Sequence, residues 1–446
     1  MLPRFYVRPA GAQTLGAQPD NDPKETLGSF RRLARVRLTD DMTVGERVAI
    51  CRRRRGMTQE VLAGLLGRSV EWLAQFERGA KELDRLSTIV AIADALGIEP
   101  VKLLPAAFTT RRRELPDAVI GTAPDSVAAI KSAMFRYDGM ARLLDAPDRP
   151  PVENADLAAR IEEAFGCSQT ERWSRLGPLL PDLIADAWHA TRTSTGEQQR
   201  RAFGQLSLVW RVTSGMLDRI GEKDLPWIAA ERDMAAADRS EDDLLIAGAA
   251  WRLAVVLRHA GRLAESTDVP VALADRLRTT IDRSPAHASV YGALMLKGAV
   301  GAASLGDHVA VRDFLGECDR AAERTGDRND YWLAFGPTNV AIHRVWLATE
   351  LGDPIEAIRQ ATHVNDTALP PELAERRASH LITVAWSHYL RRHDDDALAA
   401  LAAARDTAPE QLMFTRRVHD MVHQMLRRDR RGRPTLRELA KFIGAP

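Results

Sequence analysis

The chain has 446 residues, 45% of them apolar and 28% charged, with a formal net charge of +1. That content supports several packed domains, or one small domain plus a long repeat array, and it excludes a wholly disordered chain. Cys51, Cys167 and Cys318 stand without paired spacing, so neither a disulfide framework nor a zinc cluster is encoded; the three are expected to be buried, and no cofactor is expected.

Residues 1–42 are rich in Pro, Gly, Gln and Asp, with a basic patch at Arg31, Arg32, Arg35 and Arg37, and are expected to be a mostly disordered tail. The start, Met1 to Arg8, lacks the long apolar core of a secretion signal, and no stretch approaches the roughly 18 unbroken apolar positions of a membrane span. A cytoplasmic protein without membrane partners is therefore expected.

Helical periodicity begins at residue 43. Thr43 to Arg55 places Val44, Val48 and Cys51 on one face. Thr58 is a good N-cap, Leu62, Leu65 and Leu66 follow at helical spacing, and Gly67 can supply the left-handed exit. Ser69 caps a second short helix whose inward stripe is Val70, Leu73 and Phe76 and whose outward side carries Glu71, Ala74, Gln75 and Arg78, ending at Gly79. Leu86, Ile89, Ile92, Ala93 and Leu96 give a fourth helix, and Glu99-Pro100 opens a last turn through Val101, Leu103 and Leu104. The second and third helices, joined by a tight turn, form the unit that lays one helix in a DNA major groove.

The run Thr58-Gln59, Leu62-Ala63, Leu66-Gly67, Ser69 and Glu77-Arg78-Gly79 resembles the phage-repressor, or XRE, class of helix-turn-helix domain over residues 43–104. The resemblance implies that Gln59, Arg78 and Lys81 position the duplex through phosphate while Val70, Glu71 and Gln75 face the bases. Arg68 and Ser69, at the opening of the recognition helix, and Arg54 and Arg55, in the basic run Arg52 to Arg55, complete the expected DNA-binding set. Val70 and Glu71 depart from the polar or basic residues common in the class, and a carboxylate near DNA is useful where it accepts from a cytosine amine. Charge agrees in direction: residues 1–105 hold 17 Lys and Arg against 13 Asp and Glu, whereas the remainder hold 45 against 48.

Residues 105–125, with Pro105, Arg111 to Arg113, Pro116 and Pro124, are expected to be a linker. Residues 126–443 read as helical throughout, and they repeat. Turns at Gly221, Gly261, Gly306, Gly352 and His393 are spaced by 40, 45, 46 and 41 residues, somewhat longer than the roughly 34 of an ideal tetratricopeptide repeat. Small residues such as Ala254, Ala303, Ala348, Ala357 and Ala397 permit close helix stacking. Phe335-Gly336-Pro337-Thr338-Asn339-Val340-Ala341 and Ala408-Pro409-Glu410-Gln411 resemble the tetratricopeptide-like sensor halves fused to XRE domains in bacterial regulators. The expected fold class is thus all-α, a five-helix head followed by a tetratricopeptide-like superhelix.

Stacked helix pairs present an inner wall, and Tyr331, Asn339, His343 and Arg344 are the candidate effector-binding residues there: an Asn carboxamide both donates and accepts, and Arg takes a carboxylate in bidentate fashion. Trp210, Trp251, Trp332, Trp346 and Trp386 are expected to pack. His419 and His423 lie one helical turn apart, yet the Glu of a zinc-protease motif is missing and no third ligand is evident, so neither metal nor catalysis is expected. The expected function is a sequence-specific transcriptional regulator, a homodimer on a double-stranded DNA operator, whose repeats mediate dimerisation and sense a peptide or small-molecule effector. The alternative is a protein–protein scaffold with a head that does not read DNA.

Overall fold

The computed structural model describes residues 43–79, 86–96, 103, 123–136, 153–429 and 432–444. It divides into two units, residues 1–112 and 113–446. The fold is all-α; among the described residues the single extended pairing is an antiparallel bridge between Arg328 and Phe335. The tail of residues 1–42, the last turn expected at 99–104 save for Leu103, and most of the linker lie outside the described residues.

In the first unit, α1 (Val44–Arg54), α2 (Gln59–Leu65), α3 (Val70–Glu77) and α4 (Leu86–Leu96) follow the apolar spacing. Each of the first three starts on a hydroxyl cap: Thr43 accepts from the Glu46 amide in a reciprocal capping box, Thr58 from Val61 and Ser69 from Trp72. Gly67 and Gly79 close α2 and α3 with φ of 60° and 73°. Val48, Leu62, Leu73, Phe76, Ile92, Leu96 and Leu103 form a core that is at most 2% exposed, each large side chain contributing about 1.5–3 kcal/mol. Close approach of α1 to α3 requires Gly45, since a Cβ there would lie 2.0 Å from the Phe76 carbonyl oxygen.

The second unit opens with α5 (Ala123–Arg136), which packs on α7 and starts inside the segment expected as linker. After α6 (Asn154–Gln169) and α7 (Trp173–Thr193) come five helix pairs. These are α8 (Gly196–Arg219) with α9 (Leu225–Ser240), α10 (Asp243–His259) with α11 (Leu263–Leu277), and α12 (Pro285–Leu305) with α13 (His308–Thr325). They continue with α14 (Pro337–Glu350) and α15 (Pro354–Ala361), then α16 (Ala374–Leu390) and α17 (Asp394–Thr407). Short helices α18 (Pro409–Phe414), α19 (Arg416–Arg428) and α20 (Pro434–Phe442) cap the array.

All five pairs turn the same way. The amides of Glu222, Arg262, Asp307, Asp353 and His393 reach back five residues to a helix carbonyl at 2.8–3.0 Å, the Schellman closure. The residue before each has positive φ: Gly221, Gly261, Gly306 and Gly352 at 76–85°, and Arg392 at 63°. The fifth turn residue is therefore Arg392, one position before the His393 used to set the spacing.

First helices of successive pairs, α8, α10, α12, α14 and α16, stack on one another and line the inner wall. The array curls far enough to meet its own beginning. Phe165 of α6 stacks on Trp332 at 4.2 Å, Gln169 exchanges hydrogen bonds with Asn329, and Ser174 of α7 donates from its hydroxyl to Glu410 at 2.7 Å. Helix α12 is long and apolar enough to cross a membrane by length and composition alone, but 83% of its apolar window is buried inside this unit.

Candidate DNA-reading helix and inner site

The recognition helix α3 is set in place by a buried ion pair. Arg52, in the last turn of α1, donates to both Glu77 oxygens, at 2.6 and 2.7 Å, and to the Met57 carbonyl at 2.7 Å. Both residues are only 6% exposed. Gln59, the first residue of α2, donates to Glu77 Oε2 at 2.7 Å. One carboxylate at the end of α3 thus fixes α1, the α1–α2 connection and α2 together. The clamp corrects the sequence reading of Arg52 as part of a phosphate-facing run. It also gives Gln59 an internal partner, so its amide is preorganised rather than loose.

The outward side of α3 is open. Val70 is 39% exposed, and the Arg78 and Glu71 side chains are 68% and 72% exposed, 3.8 Å apart. Gln75 donates to Glu71 at 2.8 Å, and Arg78 donates to the Ala74 carbonyl at 3.2 Å. Arg68 lies 5.4 Å from the Trp72 ring centroid, and Ser69 is held by its capping bond. Glu71, Gln75 and Arg78 therefore form one polar strip on the helix surface. Arg55 is exposed beyond α1; Arg54 lies in its last turn, and Lys81 falls outside the described residues.

Of the expected effector residues, three are committed elsewhere. Asn339 is 3% exposed and donates its amide to the Ala334 carbonyl. Arg344 points to α13, pairing with Asp319 at 2.5 Å. Tyr331 sits in a 3-10 turn with φ of 52°, its hydroxyl 3.5 Å from Asp242, and burial, then Asp242, push that hydroxyl up to about 12. An Asn carboxamide early in a helix serves local structure as readily as a ligand, which is why its position in the sequence misleads.

His343 is the exception. Its Nδ1 donates to the Asn339 carbonyl at 2.9 Å, and burial, then the nearby cations Lys297 and Arg376, lower it to about 3, so the ring is neutral. It borders a charged cluster on the inner wall that the sequence reading missed. Arg219, at the end of α8, bridges the buried Glu171 at 3.1 Å and Glu375 of α16 at 3.0 Å, tying the first part of the array to the last. Burial raises Glu171 to about 7 against the pull of Arg219, whereas Glu375 stays low, at about 2, because Arg376 and Arg219 outweigh its burial. Arg252 and His259 both reach Asp218 at 2.7 Å.

Lys297 of α12 lies over the Trp251 ring at 4.2 Å, and Arg258 over Trp346 at 5.8 Å. Trp251 and Trp346 thus face cations, as does the fully buried Trp210, whose ring centroid is 5.1 Å from Arg232. A signal for this site was present: Lys297 is the one charged residue between Ala288 and Ser304. No comparable signal marks Glu171. Elsewhere, His419 donates from Nε2 to the Met413 carbonyl at 2.7 Å, and the three cysteines are buried and none is in a disulfide.

These features define a two-part, all-helical protein: a helix-turn-helix head with an open recognition face and a closed-up array of helical repeats with a charged inner wall. The helix-turn-helix domain family matches residues 43–105. A solved Rap protein complexed with competence and sporulation factor is similar to this chain, with 9% identity and a TM-score of 0.41, over 66% of this chain and 87% of its own. No curated protein sequence matches.

Proposed function

We propose that the protein is a DNA-binding transcriptional regulator of the XRE type, acting in the cytoplasm without catalytic activity. The observation that carries this is the outward side of α3, where Val70, Glu71, Gln75 and Arg78 stand clear of the head's own core while Glu77, one residue away, is locked to Arg52. Rigid anchoring beside a free polar face is what base readout needs. With eight residues, α3 is about 12 Å long and covers a few base pairs. Specific binding therefore calls for two heads, and we assign a homodimer on half-sites about one helical turn apart. The repeats hold the dimer and an effector, which biases DNA binding by no more than its differential affinity for the two states.

The test is fluorescence anisotropy of the full chain on fragments of its own promoter region across a salt series. Arg78→Ala should weaken binding to all sequences and reduce the salt slope by about 1, and Gln75→Ala should relax preference at one position, at about 1–3 kcal/mol. Salt-insensitive binding that both variants leave unchanged would refute the assignment. A second reading, a head that docks protein, is favoured by Val61 and Leu65, 50% and 61% exposed on the outer side of α2. Crosslinking that recovers a stoichiometric protein and no DNA motif would select it.

A further inference from the structure

We propose that Lys297, Arg258 and Arg376 form an oxyanion site on the inner wall of the repeats, taking a carboxylate or phosphoryl group of a small ligand whose apolar part packs against Trp251 and Trp346. The inference deepens the effector role just assigned and rests on it.

The inner wall carries charge without a full set of partners. Lys297 projects from the centre of an otherwise apolar helix and is part-buried, yet among the described residues its ammonium has the Trp251 face and no carboxylate within ion-pair distance. Arg258 is in the same position: its contacts are the Trp346 face and the His259 Nε2 at 2.7 Å. Arg376 pairs with Glu375 at 3.2 Å, but the other oxygen of Glu375 serves Arg219, so one carboxylate is shared by two guanidiniums. Glu350 and Asp218, the acids acting on Arg258, are engaged by other cations, Glu350 3.7 Å from Arg417 and Asp218 2.7 Å from Arg252. His343, on which Lys297 and Arg376 both act, is neutral and offers no compensation.

An ammonium held out of water without a partner is unfavourable, and proteins keep such groups where a ligand supplies the missing charge. Burial first, then Arg376 and Arg258, press Lys297 well below its ordinary value, and a bound anion would restore the charge on its ammonium. Arg258 of α10 and Arg376 of α16 both act on Lys297 of α12, so an anion held there would also link helices distant in sequence. Lys and Arg donors together suit an oxygen triad, and the indole faces suit an attached flat or aliphatic group.

The experiment uses the full chain without DNA, following thermal unfolding and tryptophan fluorescence at fixed ionic strength with inorganic pyrophosphate in one series and citrate in another. The expected result is a saturable rise in Tm with at least one of the two, absent with equal ionic strength of chloride. Pyrophosphate alone points to a phosphoryl ligand and citrate alone to a carboxylate. Lys297→Met should weaken that binding by about tenfold or more, the scale of one charge-assisted hydrogen bond, while leaving the ligand-free Tm equal to or above that of the wild type. Arg258→Gln should weaken binding similarly. No saturable shift with either anion, or a Lys297→Met variant that binds as the wild type does or melts lower without ligand, would overturn the proposal. Because DNA is absent, these outcomes are independent of whether the head reads an operator.

Discussion

Glu77→Ala tests whether the recognition helix is held by its buried ion pair. The substitution leaves Arg52 with its Met57 carbonyl bond but without either carboxylate oxygen, and leaves the Gln59 amide without its internal acceptor. Breaking one side of a buried pair costs about 3–5 kcal/mol, because the remaining charge is uncompensated. A head of this size has a total stability of only about 3–9 kcal/mol, so the variant's head should be largely or marginally unfolded while the repeats stay intact. Hydrogen exchange read by mass spectrometry separates the two: protection in residues 44–77 should collapse, and protection in 285–305 should not change. DNA binding should disappear with it. The double variant Arg52→Met with Glu77→Leu removes both charges and should recover most of the stability, since well-packed apolar replacements of buried pairs are close to neutral. If Glu77→Ala costs under about 1 kcal/mol by the same measurement, the clamp does not hold the helix and the preorganisation argument fails.

Three further outcomes are expected. Arg392→Gly should stabilise the repeat unit by about 0.5–1 kcal/mol, because an L side chain is disfavoured at φ of 63°; differential scanning calorimetry showing a fall in Tm would contradict it. Glu171 is raised from 4.5 to about 7, so the folded state binds its proton more tightly than the unfolded state. The stability this confers is complete below 4.5 and declines as pH rises through about 7. Glu171→Gln should therefore flatten the fall in urea-unfolding free energy between pH 5 and 7.5, and parallel curves for variant and wild type would exclude the linkage. Gly45→Ala should loosen α1 from α3, because the added methyl meets the Phe76 carbonyl; unchanged exchange protection in α3 would refute that close approach.

The local grammar of this chain was legible from the residues alone. Thr43, Thr58 and Ser69 cap their helices because a hydroxyl before an apolar run satisfies orphan amides whatever surrounds it. Gly221, Gly261, Gly306 and Gly352 turn the helix pairs because a positive φ selects glycine locally. Apolar spacing likewise set the helical faces and the repeat. Arg392 escaped because an ordinary residue fills the same geometry, strained into it by the helices on either side. What tertiary structure alone decided is where charge meets charge. Arg52 and Glu77 are separated by a whole helix-turn-helix, and Glu171, Arg219 and Glu375 meet only because the array curls back on its own beginning. Electrostatic partners are set by distance through space and by how much water is excluded, and a sequence records neither until the chain has closed.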